Sequence, residues 1–139
     1  MAVELVALCD IEVTLSDLIQ VGAGPSGDRL IVEVAEASAT GDRLRGRLRG
    51  RAAADWLSIN GGVGTLDVRA TIETEDGAVI YMQYGGRTDV TNGMGSAPIY
   101  MAPRFETSDE RYRWLNTVQA VGKGTLEGNV LHYEVYEVR

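Results

Sequence analysis

The chain has 139 residues, 45 % of them hydrophobic, with 13 Lys and Arg against 20 Asp and Glu and a net charge of -7. That length builds one domain, residues 1–139, with a real core, and the composition excludes wholesale disorder. The acidic balance repels a phosphate backbone, so no nucleic-acid partner is expected, and no run approaches the roughly 18 apolar residues that span a bilayer.

The N-terminus, "MAVELVALCDIEV", carries Glu4 and Asp10 and no basic leader. Cys9 is the only cysteine, so a reducing, cytoplasmic setting is expected. Strand candidates then follow one another. "VELVALCDIEVT" opens the chain, and "SDLIQVGAGPSGDR" reads as a loop around Gly22, Gly24, Pro25 and Gly27. "RLIVEVAEAS" comes next. In "GDRLRGRLRGR" arginines occupy every second position from Arg43 to Arg51, the period of a β-strand. That row predicts one ionic strand face, with Glu73 and Glu75 as cross-strand partners.

"LDVRATIETE" and "AVIYMQYGGR" flank Asp76-Gly77, a two-residue hairpin signal. "TDVTNGMGSAP" reads as a loop and "IYMAPRFETS" as a strand. Ser108 is an N-cap candidate for one short helical turn in "SDERYRWLN". "TVQAVGKGTLEG" and "NVLHYEVYEVR" close the chain as a hairpin. Eight to ten strands with at most one helical turn predict an all-β fold, an antiparallel sandwich or closed barrel.

One histidine, His132, and one cysteine exclude a His- or Cys-rich metal centre. "GGVG" at 61–64 lacks the Lys-Ser/Thr ending of a phosphate loop, so no nucleotide cofactor is expected, and none of any kind is implied. What remains is carboxylates, arginines and aromatics. Asp55 stands beside Trp56, Asp67 lies one residue-pair from Arg69, and Arg104, Glu106 and Asn116 surround Trp114 in "PRFETSDERYRWLN". Two readings are open. The tryptophans and Tyr84 wall a small-molecule pocket in which a carboxylate against an indole serves as general acid or base. Alternatively, the tryptophans fill the core and the Asp–Arg pairs satisfy one another.

"PRFETSDERYRWLN", with "GDRLRGRL", "ADW", "LDVRATIETEDGAVIYMQYGGR", "VGKG" and "YEVYEV", resembles in order the bacterial and fungal family called domain of unknown function 3237. The resemblance implies a single closed antiparallel β-barrel of lipocalin-like appearance, often a homodimer. It places Asp55, Trp56, Asp67, Arg69, Arg104, Glu106, Trp114 and Asn116 on the family's characteristic motifs. If the Asp67–Arg69 face points into the barrel, these groups meet in the lumen. Three functions follow as expectations. The first is a cofactor-independent isomerase, dehydratase, hydratase or cyclase acting on a small, mostly apolar, oxygenated molecule, with Asp67 or Asp55 as acid or base and Arg69 or Arg104 holding an oxygen. The others are a non-catalytic binding barrel and an interaction module whose lumen is filled by its own side chains.

Overall fold

A computed structural model describes all 139 residues. Nine strands form one antiparallel sheet: β1 (Leu5–Gly24), β2 (Gly27–Thr40), β3 (Gly46–Leu48), β4 (Ala54–Asn60), β5 (Val63–Thr74), β6 (Val79–Asp89), β7 (Ile99–Glu106), β8 (Ala120–Glu127) and β9 (Val130–Val138). Neighbour pairings run β1-β9-β8-β7-β6-β5-β4-β2 and return from β2 to β1, which closes a ring of eight. β3 and β4 occupy the same slot in succession: each pairs with both β2 and β5. Closure leaves no free sheet edge around most of the wall. The expected all-β barrel is the fold observed.

Alternation decides which side chains fill it. On β5, Leu66, Val68, Ala70 and Ile72 are buried while Asp67 and Arg69 are exposed. Ile80, Met82 and Tyr84 of β6 and Ile99, Met101 and Phe105 of β7 continue the interior, which β9 completes with Tyr133 and Val135. An eight-stranded ring leaves an interior just wide enough for side chains to fill. Pro103 cannot donate a ladder hydrogen bond, and the β7–β8 pairing accordingly stops at Met101 while β6 continues to pair with β7 as far as Glu106.

Three local expectations change. The segment around Gly22 is strand, and the β1–β2 turn shrinks to Pro25 and Ser26, because β1 pairs with β2 as far as Gly24 opposite Gly27. The helical turn is a 3-10 helix over Arg113–Thr117, with Tyr112 rather than Ser108 at its N-terminus. Only Gly46–Leu48 of the arginine segment is strand. Gly46 sits where a Cβ would lie 2.6 Å from Glu73 O, so it permits the close approach of β3 to β5. Arg49 pairs with Glu73 as expected, whereas Arg43 turns under the barrel to Glu137.

Candidate active site at the open end

The two ends of the barrel are built differently. At one end, Leu44 from the β2–β3 connection and Leu115 from the 3-10 turn are buried, 2 % and 0 % exposed. Trp114, beside Leu115, is half-buried under the Arg43 guanidinium, 4.6 Å from its ring centroid. Asn116 clamps the same turn by accepting from Thr107 N–H and donating to Thr107 O, both at 2.9 Å. This end is plugged.

The other end is a mouth with apolar walls. Val13, Val32, Leu57, Val68 and Leu131 are among its lining residues, and Asp55, Tyr84 and Tyr133 share the cavity, about 50 Å³ in volume. Asp55 faces inward because it is the direct neighbour of Val32 on β2 and of Val68 on β5, both buried. One carboxylate oxygen, Oδ1, accepts the backbone N–H of Asp67 at 2.9 Å; Oδ2 accepts no hydrogen bond from the chain. Burial is the main cause that pushes this carboxyl up from 3.8 to about 6, helped by the Asp67 charge and opposed by the Asp67 N–H and the Arg29 charge. A group so placed exchanges a proton near neutrality.

Two tyrosines and Thr88, whose hydroxyl donates to Pro98 O, complete the polar content. The tyrosine rings meet edge to face, centroids 5.8 Å apart and planes at 70°. Both are buried, which holds both phenols protonated by raising them above the ordinary tyrosine range. The Tyr133 hydroxyl is buried and makes no well-formed hydrogen bond in the chain; its one polar neighbour is the Tyr84 phenol, which is too poorly aligned to satisfy it. Buried polar atoms are normally paired, so an orphan beside a cavity calls for an explanation. Gly124 makes room for the ring: a Cβ there would run into Tyr133 Cδ1 and lie 2.7 Å from His132 O.

A loop from Val90 to Pro98 carries Met94 and Gly95 to the mouth. Its ends are fixed by Val90 N–H to Gly62 O and by Thr88 Oγ1 to Pro98 O. Gly95, at φ +80°, rests against Leu126. Met94 is half exposed while lining the cavity, and its unbranched side chain adapts readily.

The residues singled out from sequence divide into three places. Asp55 and Tyr84 lie in the mouth. Trp114 and Asn116 belong to the plugged end. Asp67, Arg69, Arg104 and Glu106 stand on the outer wall, exposed. Trp56 faces outward with them, half-buried, with the Arg69 guanidinium 4.4 Å from its ring centroid. A lumenal meeting of Asp67 and Arg69 requires their face of β5 to point inward; it points outward because the apolar face of β5 supplies the core. Tyr133 is absent from the sequence-derived set. The signal was present: Leu131, Tyr133 and Val135 alternate with His132 and Glu134, and His132 stands exposed 3.8 Å from Glu12. No group of three or more His, Cys, Asp or Glu is placed to hold a metal ion. Cys9 is buried and its thiol is pushed up to about 12, chiefly by burial, so it is no nucleophile at neutral pH.

A family model described as protein of unknown function (DUF3237) matches residues 3–138. Among solved structures, a β-barrel-like protein from Acinetobacter baumannii is 27 % identical with a TM-score of 0.89, over 100 % of this chain and 98 % of that one. A conserved protein of unknown function from Rhodopseudomonas palustris is 22 % identical with a TM-score of 0.90, over 100 % and 99 % of the two chains. An enzyme from Penicillium herquei is 22 % identical with a TM-score of 0.72, over 99 % and 94 %. No curated protein sequence matches the chain.

Proposed function

The chain belongs to the family described as protein of unknown function (DUF3237), and within that barrel we propose that the mouth is the active site of a cofactor-independent enzyme. Its reaction is proton transfer on a small, mostly apolar, oxygenated molecule: an isomerisation, hydration, dehydration or cyclisation. One observation carries the reading. Asp55 places an unpaired carboxylate oxygen in an apolar cavity and is tuned to about 6. Carboxylates raised by burial are the groups that serve as acid and base at neutral pH. That a Penicillium enzyme is built on a similar barrel supports the fold as a catalytic scaffold.

In the proposed cycle Asp55 Oδ2 takes a proton from a carbon beside a carbonyl. Tyr133 Oη donates a hydrogen bond to the carbonyl oxygen as negative charge develops there. Asp55 then returns the proton at a second position, so the net change is a shift of a hydrogen and a double bond, with no electrons gained or lost. The apolar walls exclude water and hold the substrate body.

The first test is thermal melting against a panel of cyclic ketones and lactones, followed by product analysis of any stabilising compound. A ligand at 100 times its Kd raises stability by about 2.7 kcal/mol. For a compound that is converted, Asp55→Asn is expected to lower turnover at least ~100-fold while the circular dichroism spectrum is unchanged. A stabilising compound recovered unaltered would make the protein a binding barrel instead.

A further inference from the structure

Resting on the mouth as the functional site, we infer that it selects a neutral carbonyl compound and rejects carboxylates, with Tyr133 as the donor that recognises the carbonyl oxygen. Three observations point there. The first is the sign of charge. Of sixteen residues lining the cavity thirteen are hydrophobic, and the lining holds no Arg, Lys or His beside its one carboxylate, Asp55. A ligand carboxylate would lose its hydration and find no cation, with another carboxylate facing it.

The second observation is the orphan donor. Tyr133 is 0 % exposed and lines the cavity, and its hydroxyl makes no well-formed hydrogen bond in the chain, with only the Tyr84 phenol beside it. Burial keeps the phenol protonated, so it offers an O–H rather than an oxyanion. A neutral oxygen acceptor pairs with such a donor without bringing charge, and a carbonyl oxygen, with two in-plane lone pairs, is a strong one. The third is the cost already present. Nearly all buried polar groups are paired, and a site built to hydrogen-bond one substrate atom discriminates against analogues that lack it. The nearby cations do not alter this. Arg29 is tied to Trp56 O at 2.7 Å, and Arg69 lies over the outer face of Trp56.

The discriminating experiment compares cyclopentanone, cyclopentanecarboxylate and cyclopentane, three bodies of one ring size, by ligand-observed NMR titration of the full chain at pH 7. Cyclopentanone is expected to bind, cyclopentanecarboxylate neither to bind nor to displace it, and cyclopentane to bind about tenfold more weakly. Tyr133→Phe is expected to weaken cyclopentanone about tenfold without lowering Tm, because it removes an unpaired hydroxyl rather than a contact. A carboxylate that binds as tightly as the ketone overturns the inference and leaves the mouth as a binding site. Unchanged ketone affinity in Tyr133→Phe, with binding at the mouth verified by shifts of Leu131 and Val68, also overturns it. If none of the three compounds binds up to its solubility limit, the inference falls together with the assignment of the mouth.

Discussion

At the plugged end, polar groups are consumed by one another; at the mouth, they are left over. Glu137, 8 % exposed, meets both Arg43 at 3.3 Å and Arg139 at 2.7 Å. The Asp76 carboxylate accepts from Thr74 and Tyr112 and pairs with the Arg111 charge at 3.4 Å, and Asp109 accepts from Arg111. These contacts hold both carboxyls below the usual range, Asp109 at about 2. In the mouth, Asp55 keeps one oxygen free and is pushed up, and the Tyr133 hydroxyl makes no well-formed hydrogen bond beside the Tyr84 phenol. The same residue types therefore do opposite work at the two ends. Satisfied groups fix the position of a turn, whereas unsatisfied groups in an apolar cavity hold chemical potential for something that enters.

The contrast is broken most severely at the plug. Leu115 is fully buried, so Leu115→Ala leaves a cavity under the 3-10 turn and is expected to lower stability by roughly 2–5 kcal/mol in denaturant unfolding. Met94→Ala, at the mouth and half exposed, is expected to change stability by less than about 0.5 kcal/mol in the same measurement. Equal losses would mean that the mouth loop is as much a part of the core as the plug.

Asp55 sharpens the comparison through pH. Its folded carboxyl titrates near 6 and its unfolded one near 3.8. Between those values the folded chain holds the extra proton, so this group's contribution is fully favourable below 3.8 and is lost as pH rises through 6. At ~1.4 kcal/mol per pH unit the loss is at most about 3 kcal/mol. Asp67, Arg29, Tyr84 and Tyr133 are the ionisable groups around it. Stability curves of the native chain and Asp55→Asn, measured from pH 4 to pH 8, should therefore diverge in the variant's favour as pH rises. Parallel curves would show that Asp55 is charged and solvated.

Gly124→Ala acts on the same cavity from the wall. The added methyl meets the Tyr133 ring and the His132 carbonyl, and overpacking of this kind costs about 1–3 kcal/mol. It should move the Tyr133 ring, read as a change in the near-ultraviolet circular dichroism, and weaken any mouth ligand. A variant with native spectrum and stability would mean that the Tyr133 ring has room to yield.

Much of this was legible from the chain. Period-two alternation, turn signals and the absence of helix-period segments gave an all-β sandwich or barrel, because a strand's faces are written directly in its sequence, although the Asp76-Gly77 connection runs over residues 75–78 rather than two. Closure itself comes from long-range pairing, such as β1 with β9, which no local pattern encodes. The site was legible by half. Asp55 was marked by its neighbour Trp56, yet the two point to opposite sides of one strand, so adjacency in sequence meant separation in space. Asp67 and Arg69 were marked for the charges that kept them outside. The alternation of Leu131, Tyr133 and Val135 marked Tyr133 as inward-facing but not as functional, since it looks like any core strand; only three-dimensional packing shows how poorly its hydroxyl is satisfied.

The smallest expected effect tests the division between inner and outer wall. Asp67 touches the mouth only through its backbone N–H, which donates to Asp55 Oδ1; its own carboxylate is exposed outside. Asp67→Asn preserves that N–H and removes only a charge near Asp55, one that helps raise the Asp55 carboxyl. Turnover of any substrate identified should stay within about twofold of the native chain, and the acid limb of its pH profile should shift slightly downward. The decisive comparison is with Asp55→Asn on the same substrate. If Asp67→Asn abolishes turnover and Asp55→Asn does not, the chemistry belongs to the outer wall, where Trp56, Arg69 and Arg104 stand, and the mouth is only the unplugged end of a packed barrel.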